Sequence, residues 1–165
     1  MKTKLRHIAI IGLITTFAAC SKDKNTETEP KITTGGFSAK VENVNFETLT
    51  VAALADVTDG HSITLNATGK NEKGILLSIP TQTGTFSSEE DDEVSAIYSE
   101  NVDKLWMSDL ENGKTTVTMT KFDQGSKKMS GTFSVTAPAY GPSGATGTKT
   151  ITGSFTDVSF TLVND

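Results

Sequence analysis

The chain has 165 residues, a formal net charge of −5, one cysteine and one arginine, Arg6. A single cysteine excludes an internal disulfide, so the fold must be stable without covalent cross-links. The acidic balance argues against a nucleic-acid partner, because the sequence offers no basic patch to contact phosphates. The length suits one domain with one hydrophobic core.

The chain begins with the pattern of a bacterial export signal. Its positive start carries three cations: Lys2, Lys4 and Arg6. An apolar run follows over residues 8–19 and leads directly to Cys20. This run is shorter than the roughly 20 apolar residues that a membrane-spanning helix needs, so it predicts a cleavable signal peptide. We expect residues 1–19 to be removed, which changes the formal charge from −5 to −8.

Phe17-Ala18-Ala19-Cys20 resembles the lipobox of bacterial lipoproteins, in which leucine is commonest at the position of Phe17. The resemblance implies lipidation of Cys20 by acyl chains such as palmitate, and anchoring in the membrane through that lipid. An acylated Cys20 cannot serve as a thiol nucleophile. The alternative is an ordinary secretory signal with a chance cysteine at its cleavage site.

Residues 20–34 are polar and charged, with almost nothing to bury. This composition predicts a flexible tether between membrane and domain. Lys22-Asp23-Lys24 is half of the Lys-plus-acid signal that sorts some lipoproteins to the cell surface. We therefore predict an outer-membrane lipoprotein of the cell envelope, and both a periplasmic and a surface-facing position stay open.

Residues 35–165 predict an all-β domain, because apolar residues alternate with period two between turn residues. The alternating sets, in chain order, are Phe37, Ala39, Val41; Leu49, Val51, Ala53, Ala55; Ile63, Leu65, Ala67; Ile75, Leu77, Ile79; and Val94, Ala96, Tyr98. We expect a single antiparallel β-sandwich or flattened β-barrel of about ten strands. Periodicity does not separate these two architectures, since both alternate inward and outward residues.

The last third is the most regular part. Hydroxyl residues alternate with apolar ones over residues 116–120, 129–137 and 150–156, which predicts three strands with a hydroxyl-rich outer face. The segment 129–134 (MSGTFS) repeats at 151–156 (ITGSFT), and we interpret the repeat as two paired strands. The alternation changes parity after Phe155, which predicts a β-bulge near Thr156-Asp157.

These glycine-phenylalanine segments, with Cys20 and the opening 37–41 (FSAKV), resemble a family of small Bacteroidota lipoproteins of uncharacterised function. The resemblance covers most of the mature chain. It implies an all-β domain on a lipid anchor, and it supplies no catalytic residue. Thr152 stands where that family often has asparagine.

Several polar features have a plain structural interpretation. His61 beside Asp59-Gly60 predicts an exposed turn, and no serine lies on a nucleophile elbow that it could activate. The acidic run 89–93 could offer oxygen ligands to calcium but lacks the spacing of a calcium loop, so we expect a solvated loop. The glycine-rich segment 141–150 lacks phosphate-loop spacing. We predict no enzyme, no metal site and no cofactor.

Three aromatic residues are the best binding candidates: Trp106, Tyr98 and Tyr140. Sugar rings stack on such side chains, but the first two could equally fill the core. The leading hypothesis is a non-catalytic structural or interaction role in the cell envelope, with an envelope protein or a glycan as partner. The alternative is a carbohydrate- or small-ligand-binding module on a lipid tether.

Overall fold

The computed structural model describes residues 36–58 and 61–163. The predicted signal peptide, Cys20, the tether to residue 34 and the Asp59-Gly60 turn lie outside these ranges. No helix in the described part is long and apolar enough to cross a membrane.

Twelve strands and two short 3-10 turns make up the described part. The strands are Phe37–Val41 (β1), Val44–Asn45 (β2), Thr48–Asp56 (β3), Ser62–Gly69 (β4), Gly74–Pro80 (β5), Gly84–Ser87 (β6), Ser95–Asn101 (β7), Lys104–Met107 (β8), Lys114–Asp123 (β9), Lys128–Pro138 (β10), Thr148–Ser159 (β11) and Thr161–Leu162 (β12). The 3-10 turns are Lys70–Glu72 and Gly141–Ser143.

The strands form two six-stranded sheets that pack as a sandwich, which confirms the all-β prediction. Sheet I has the order β2-β1-β11-β10-β9-β6, and sheet II has the order β12-β3-β4-β5-β7-β8. The inward residues of both sheets form one buried core. Its largest fully buried side chains include Tyr98, Phe155, Ile63, Leu65, Ile75, Leu77, Ile79, Met119, Met129 and Ile151.

The repeated segments pair with each other, as predicted, and in a reciprocal way. Gly131 lies opposite Phe155 across β10 and β11, and Phe133 lies opposite Gly153. A Cβ atom built on Gly131 would stand 2.6 Å from Cζ of Phe155, and one built on Gly153 would stand 2.5 Å from Cζ of Phe133. Each glycine therefore leaves the space that the phenylalanine of the partner strand fills.

The bulge predicted near Thr156-Asp157 is also confirmed. Met129 pairs with Val158 and Gly131 with Phe155, so Thr156 and Asp157 together oppose only Ser130. Asp157 has a φ of 49°, and its backbone N–H donates to Oγ of Ser130 at 2.9 Å. The extra residue restores the inward direction of the side chains that follow it.

Two details differ from the predicted pattern. Leu49 is 48% exposed, whereas Val51 is buried, because the pairing of β3 with β4 shifts between Thr48 and Thr50. The last strand, β12, runs parallel to β3, so the sheets are not purely antiparallel. A bulge and a two-residue strand both depend on pairing partners that local periodicity does not reveal.

Candidate functional site

A groove of about 380 Å³ opens at one end of the sandwich, between the two sheets. The hairpin that joins β1 to β2 and the turn between β4 and β5 form its rim. Tyr98 and Glu100 of β7 line it from sheet II, and Lys149 of β11 lines it from sheet I.

The inward positions change from apolar to charged at this end. Glu100 is two residues beyond Tyr98, and Lys149 is two residues before the buried Ile151, so both charges occupy core-facing positions. Nζ of Lys149 lies 3.4 Å from Oε1 of Glu100, with the side chains 25% and 30% exposed. This ion pair joins the two sheets across the mouth of the core.

Tyr98 lies two residues before Glu100 on β7 and lines the same groove. Its ring is buried at 2% exposure and packs against Trp106 with 5.6 Å between ring centroids. No described residue hydrogen-bonds the Tyr98 hydroxyl, which is therefore available to a molecule in the groove. Burial, with a smaller contribution from the charge of Glu100, raises the pKa of Tyr98 to about 12. The phenol thus stays protonated and acts as a hydrogen-bond donor.

The rim consists of two tight turns with unusual backbone conformations. Glu42 and Asn43 have φ values of 50° and 64°, and Asn71 and Glu72 have values of 58° and 62°. Pairs of positive φ angles are typical of type I′ hairpin turns, in which glycine or asparagine is preferred. A left-handed conformation costs other residues roughly 1–2 kcal/mol, so the glutamates make these turns less stable than they could be.

Charges of both signs alternate around the groove. Its lining includes three glutamates and three lysines: Glu42, Glu47, Glu100, Lys70, Lys73 and Lys149. Nζ of Lys70 lies 2.8 Å from Oε2 of Glu47, and the hydrogen bond and charge of Lys70 lower the pKa of that carboxyl. The formal charges cancel, so the groove has no strong preference for an ion of either sign.

The structure brings together two of the three predicted aromatic residues. Trp106 is buried beside Tyr98, its Nε1–H donates to the carbonyl oxygen of Thr146 at 3.3 Å, and Nζ of Lys149 lies 5.1 Å from its ring centroid. Tyr140 lies beside β8, where its backbone N–H donates to the carbonyl of Leu105, and it does not line the groove. Only Tyr98 among the three reaches the groove.

Glu100 and Lys149 were not anticipated from the sequence. The signal for them was present, because each is a charged residue at a core-facing position of its strand, next to a strand end. Such a position is expensive for a charge unless a partner or a ligand meets it. Neither residue could be paired with the other from the sequence, since they belong to different sheets.

His61 and the acidic run 89–93 lie at the surface, as expected from the sequence. His61 is exposed, and the acidic run 89–93 forms a loop in which Glu89 pairs with Lys114. Within residues 36–58 and 61–163, no group of three or more His, Cys, Asp or Glu residues could hold a metal ion.

A comparison with curated proteins and a comparison with solved structures each gave no match. The profile of a family described as a domain of unknown function, DUF6252, matches residues 33–159. Because that match covers well over half of the 165 residues, the chain belongs to the DUF6252 family.

Proposed function

We propose that this chain is a lipid-anchored protein of the bacterial cell envelope, with a non-catalytic interaction role, whose groove binds a small polar ligand. The three cations, the apolar run and Cys20 in register support the anchor. The glycine-phenylalanine segments 129–134 and 151–156, with Cys20 and the opening 37–41, support placing the chain among small Bacteroidota lipoproteins. Its position is the outer membrane, facing either the periplasm or the surface.

The hydroxyl of Tyr98, in the same groove as the Glu100–Lys149 ion pair, carries the ligand-binding proposal. It has no hydrogen-bond partner among the described residues and meets the solvent of the groove, so an acceptor atom of a ligand can replace water there. Here the groove places one donor and one ion pair at the same open end of the core. Such convergent polar groups in a concave site are typical of ligand-binding pockets.

A binding role fits these groups better than catalysis does. The raised pKa of Tyr98, about 12, keeps the phenol from acting as a base near neutral pH. Glu100 and Lys149 already pair with each other at 3.4 Å, so neither stands alone in the groove as a catalytic group would.

Substitution of Cys20 by alanine tests the anchor. We expect the Cys20→Ala precursor to incorporate no lipid and to leave the membrane fraction, whereas a Ser21→Ala control keeps both properties. A Cys20→Ala protein that is still acylated and membrane-bound would show the anchoring proposal to be wrong.

A double variant, Glu100→Gln with Lys149→Met, tests whether the ion pair serves binding or stability. A partly buried ion pair contributes little net stability, so we expect the free energy of unfolding to change by no more than about 1 kcal/mol. Urea unfolding of the full chain measures this change. A loss above roughly 2 kcal/mol would identify the pair as a structural brace and contradict its assignment to a binding site.

A further inference from the structure

We infer that the ligand of this groove is a neutral saccharide of one or two rings. The inference rests on the proposed function and adds the chemical class of the ligand. The groove's volume of about 380 Å³ lies near the lower end of the roughly 300–1,000 Å³ that small-molecule sites occupy, which suits so small a ligand.

The first argument is the balance of charge. Two of the three glutamates in the lining already pair with lysines of the lining, at 2.8 Å for Glu47–Lys70 and 3.4 Å for Glu100–Lys149. An ionic ligand that contacts Glu100 or Lys149 would have to compete with their ion pair, whereas an uncharged ligand need not. The remaining charges of the lining, Lys73 and Glu42, are of opposite sign, so the groove as a whole has no net formal charge.

The second argument is the alternation of donors and acceptors. The Tyr98 hydroxyl and the Lys149 ammonium donate hydrogen bonds, and the Glu100 carboxylate accepts them. Asn45 and Asn71 on the rim offer both functions. Sugar hydroxyls also donate and accept, so neighbouring hydroxyls of one ring can satisfy such a mixed set.

The third argument is the apolar part of the lining. Val44 on the rim is 70% exposed, an unusual exposure for a strand valine, and Phe46 lies beside it at 8% exposure. A sugar ring has C–H faces as well as hydroxyl edges. Its C–H face can cover Val44 while its hydroxyls reach Glu100 and Tyr98.

The test uses the full lipid-bearing chain in a detergent without a sugar headgroup. The neutral probes are lactose, maltose and N,N′-diacetylchitobiose, and glucuronate and glucosamine are the charged ones. Saturation-transfer NMR and calorimetry measure binding. We expect saturable binding of at least one neutral probe and weaker binding of the charged ones.

Two conservative variants connect that binding to the groove. Tyr98→Phe removes only the hydroxyl, and Glu100→Gln removes only the charge. Each should weaken binding about tenfold, because Tyr98→Phe loses one good hydrogen bond and Glu100→Gln replaces a charge-assisted hydrogen bond by a neutral one. Tyr98→Phe should keep the melting temperature of the parent. Tyr140→Phe removes a tyrosine hydroxyl outside the groove and should bind as the parent does.

The outcomes separate the saccharide inference from the proposed function. Binding of only charged probes, lost in Tyr98→Phe, would overturn the saccharide class and leave the ligand-binding function standing. Saccharide binding that is unchanged in both groove variants would overturn the assignment to this groove. If neither these probes nor a wider set of amino acids and nucleosides binds in a Tyr98-dependent way, both proposals fail.

Discussion

Tyr98 combines two environments in one side chain. Its ring packs in the core against Trp106, and its hydroxyl meets the groove without a protein partner in the described part of the chain. The sequence offered core filling and ligand contact as competing interpretations of this residue. The structure shows why it could not decide, because a tyrosine at the last apolar position of a strand can do both.

The raised pKa of Tyr98 predicts a loss of stability at high pH. Tyrosine in the unfolded chain ionises near pH 10, whereas Tyr98 in the native protein keeps its proton to about pH 12. Between these values the unfolded state binds fewer protons, so the free energy of unfolding falls as the pH rises. Below pH 10 both states are protonated and this contribution is constant.

Urea unfolding between pH 9 and pH 12 measures this loss. Because the hydroxyl meets solvent in the groove, we expect about 1–2 kcal/mol rather than the full value of the shift. The Tyr98→Phe variant should lack this part of the pH dependence, and Tyr140→Phe should retain it. Equal pH profiles for the parent and Tyr98→Phe would contradict the raised pKa.

At the scale of elements, the β10–β11 hairpin has a reciprocal fit between two glycines and two phenylalanines. Gly131 and Gly153 each face a phenylalanine of the other strand, and Phe133 also stacks on Phe37 of β1 at 5.7 Å between ring centroids. An aromatic ring packed over a glycine shields from solvent the backbone that the glycine, which has no side chain, would leave exposed. The repeat in the sequence therefore reflects the register in which β10 and β11 pair.

Alanine at either glycine should destabilise the protein by about 1–3 kcal/mol, the usual cost of overpacking a core. At Gly131 the new Cβ would meet the ring of Phe155 and the backbone oxygen of Thr118, at 2.6 and 2.5 Å. Gly141→Ala is the matched control, since no heavy atom lies within 4 Å of its Cβ position. Thermal and urea unfolding of the three variants check the prediction. A Gly131→Ala protein as stable as Gly141→Ala would show that the fit is loose.

Features that arise from the residues of a single strand could be predicted, whereas features that arise from pairing with another strand could not. The bulge at Thr156-Asp157 changes the parity of its own strand, so the sequence revealed it. The shift at Thr48–Thr50 arises from pairing with β4, and the prediction for Leu49 was wrong. The parallel pairing of β12 with β3 depends on how the chain crosses between sheets, which leaves no periodic signal.

For the whole molecule, sequence patterning predicted the layers but not how they close. A sandwich and a barrel share the inward alternation of residues, and the difference lies in which edge strands pair. The same limit applies to the groove. Glu100 and Lys149 become neighbours only when sheet I and sheet II are placed face to face, at a separation of 49 positions along the chain.

The described chain begins at one end of the sandwich, and the groove lies at the other. The described chain begins at Gly36, whose carbonyl oxygen accepts a hydrogen bond from the N–H of Thr156, at the end of β1 opposite Val41 and the groove. A tether over residues 20–34 would thus enter at the far end of the sandwich from the groove. We therefore expect the groove to open away from the membrane.

Energy transfer from labelled cysteines to acceptor lipids tests this orientation. Because an acylated Cys20 has no free thiol, each single-cysteine variant carries one reactive thiol. The variants are Asn45→Cys at the groove, Thr132→Cys midway along the sandwich and Gln124→Cys at the opposite end. All three positions are exposed. In vesicles carrying the full lipid-bearing chain, transfer should rise from Asn45 through Thr132 to Gln124, because the tethered end stays nearest the lipid. Equal transfer from all three positions would mean that the domain tumbles without preference, and the reverse order would place the groove against the membrane. Either result would contradict a groove that opens away from the membrane.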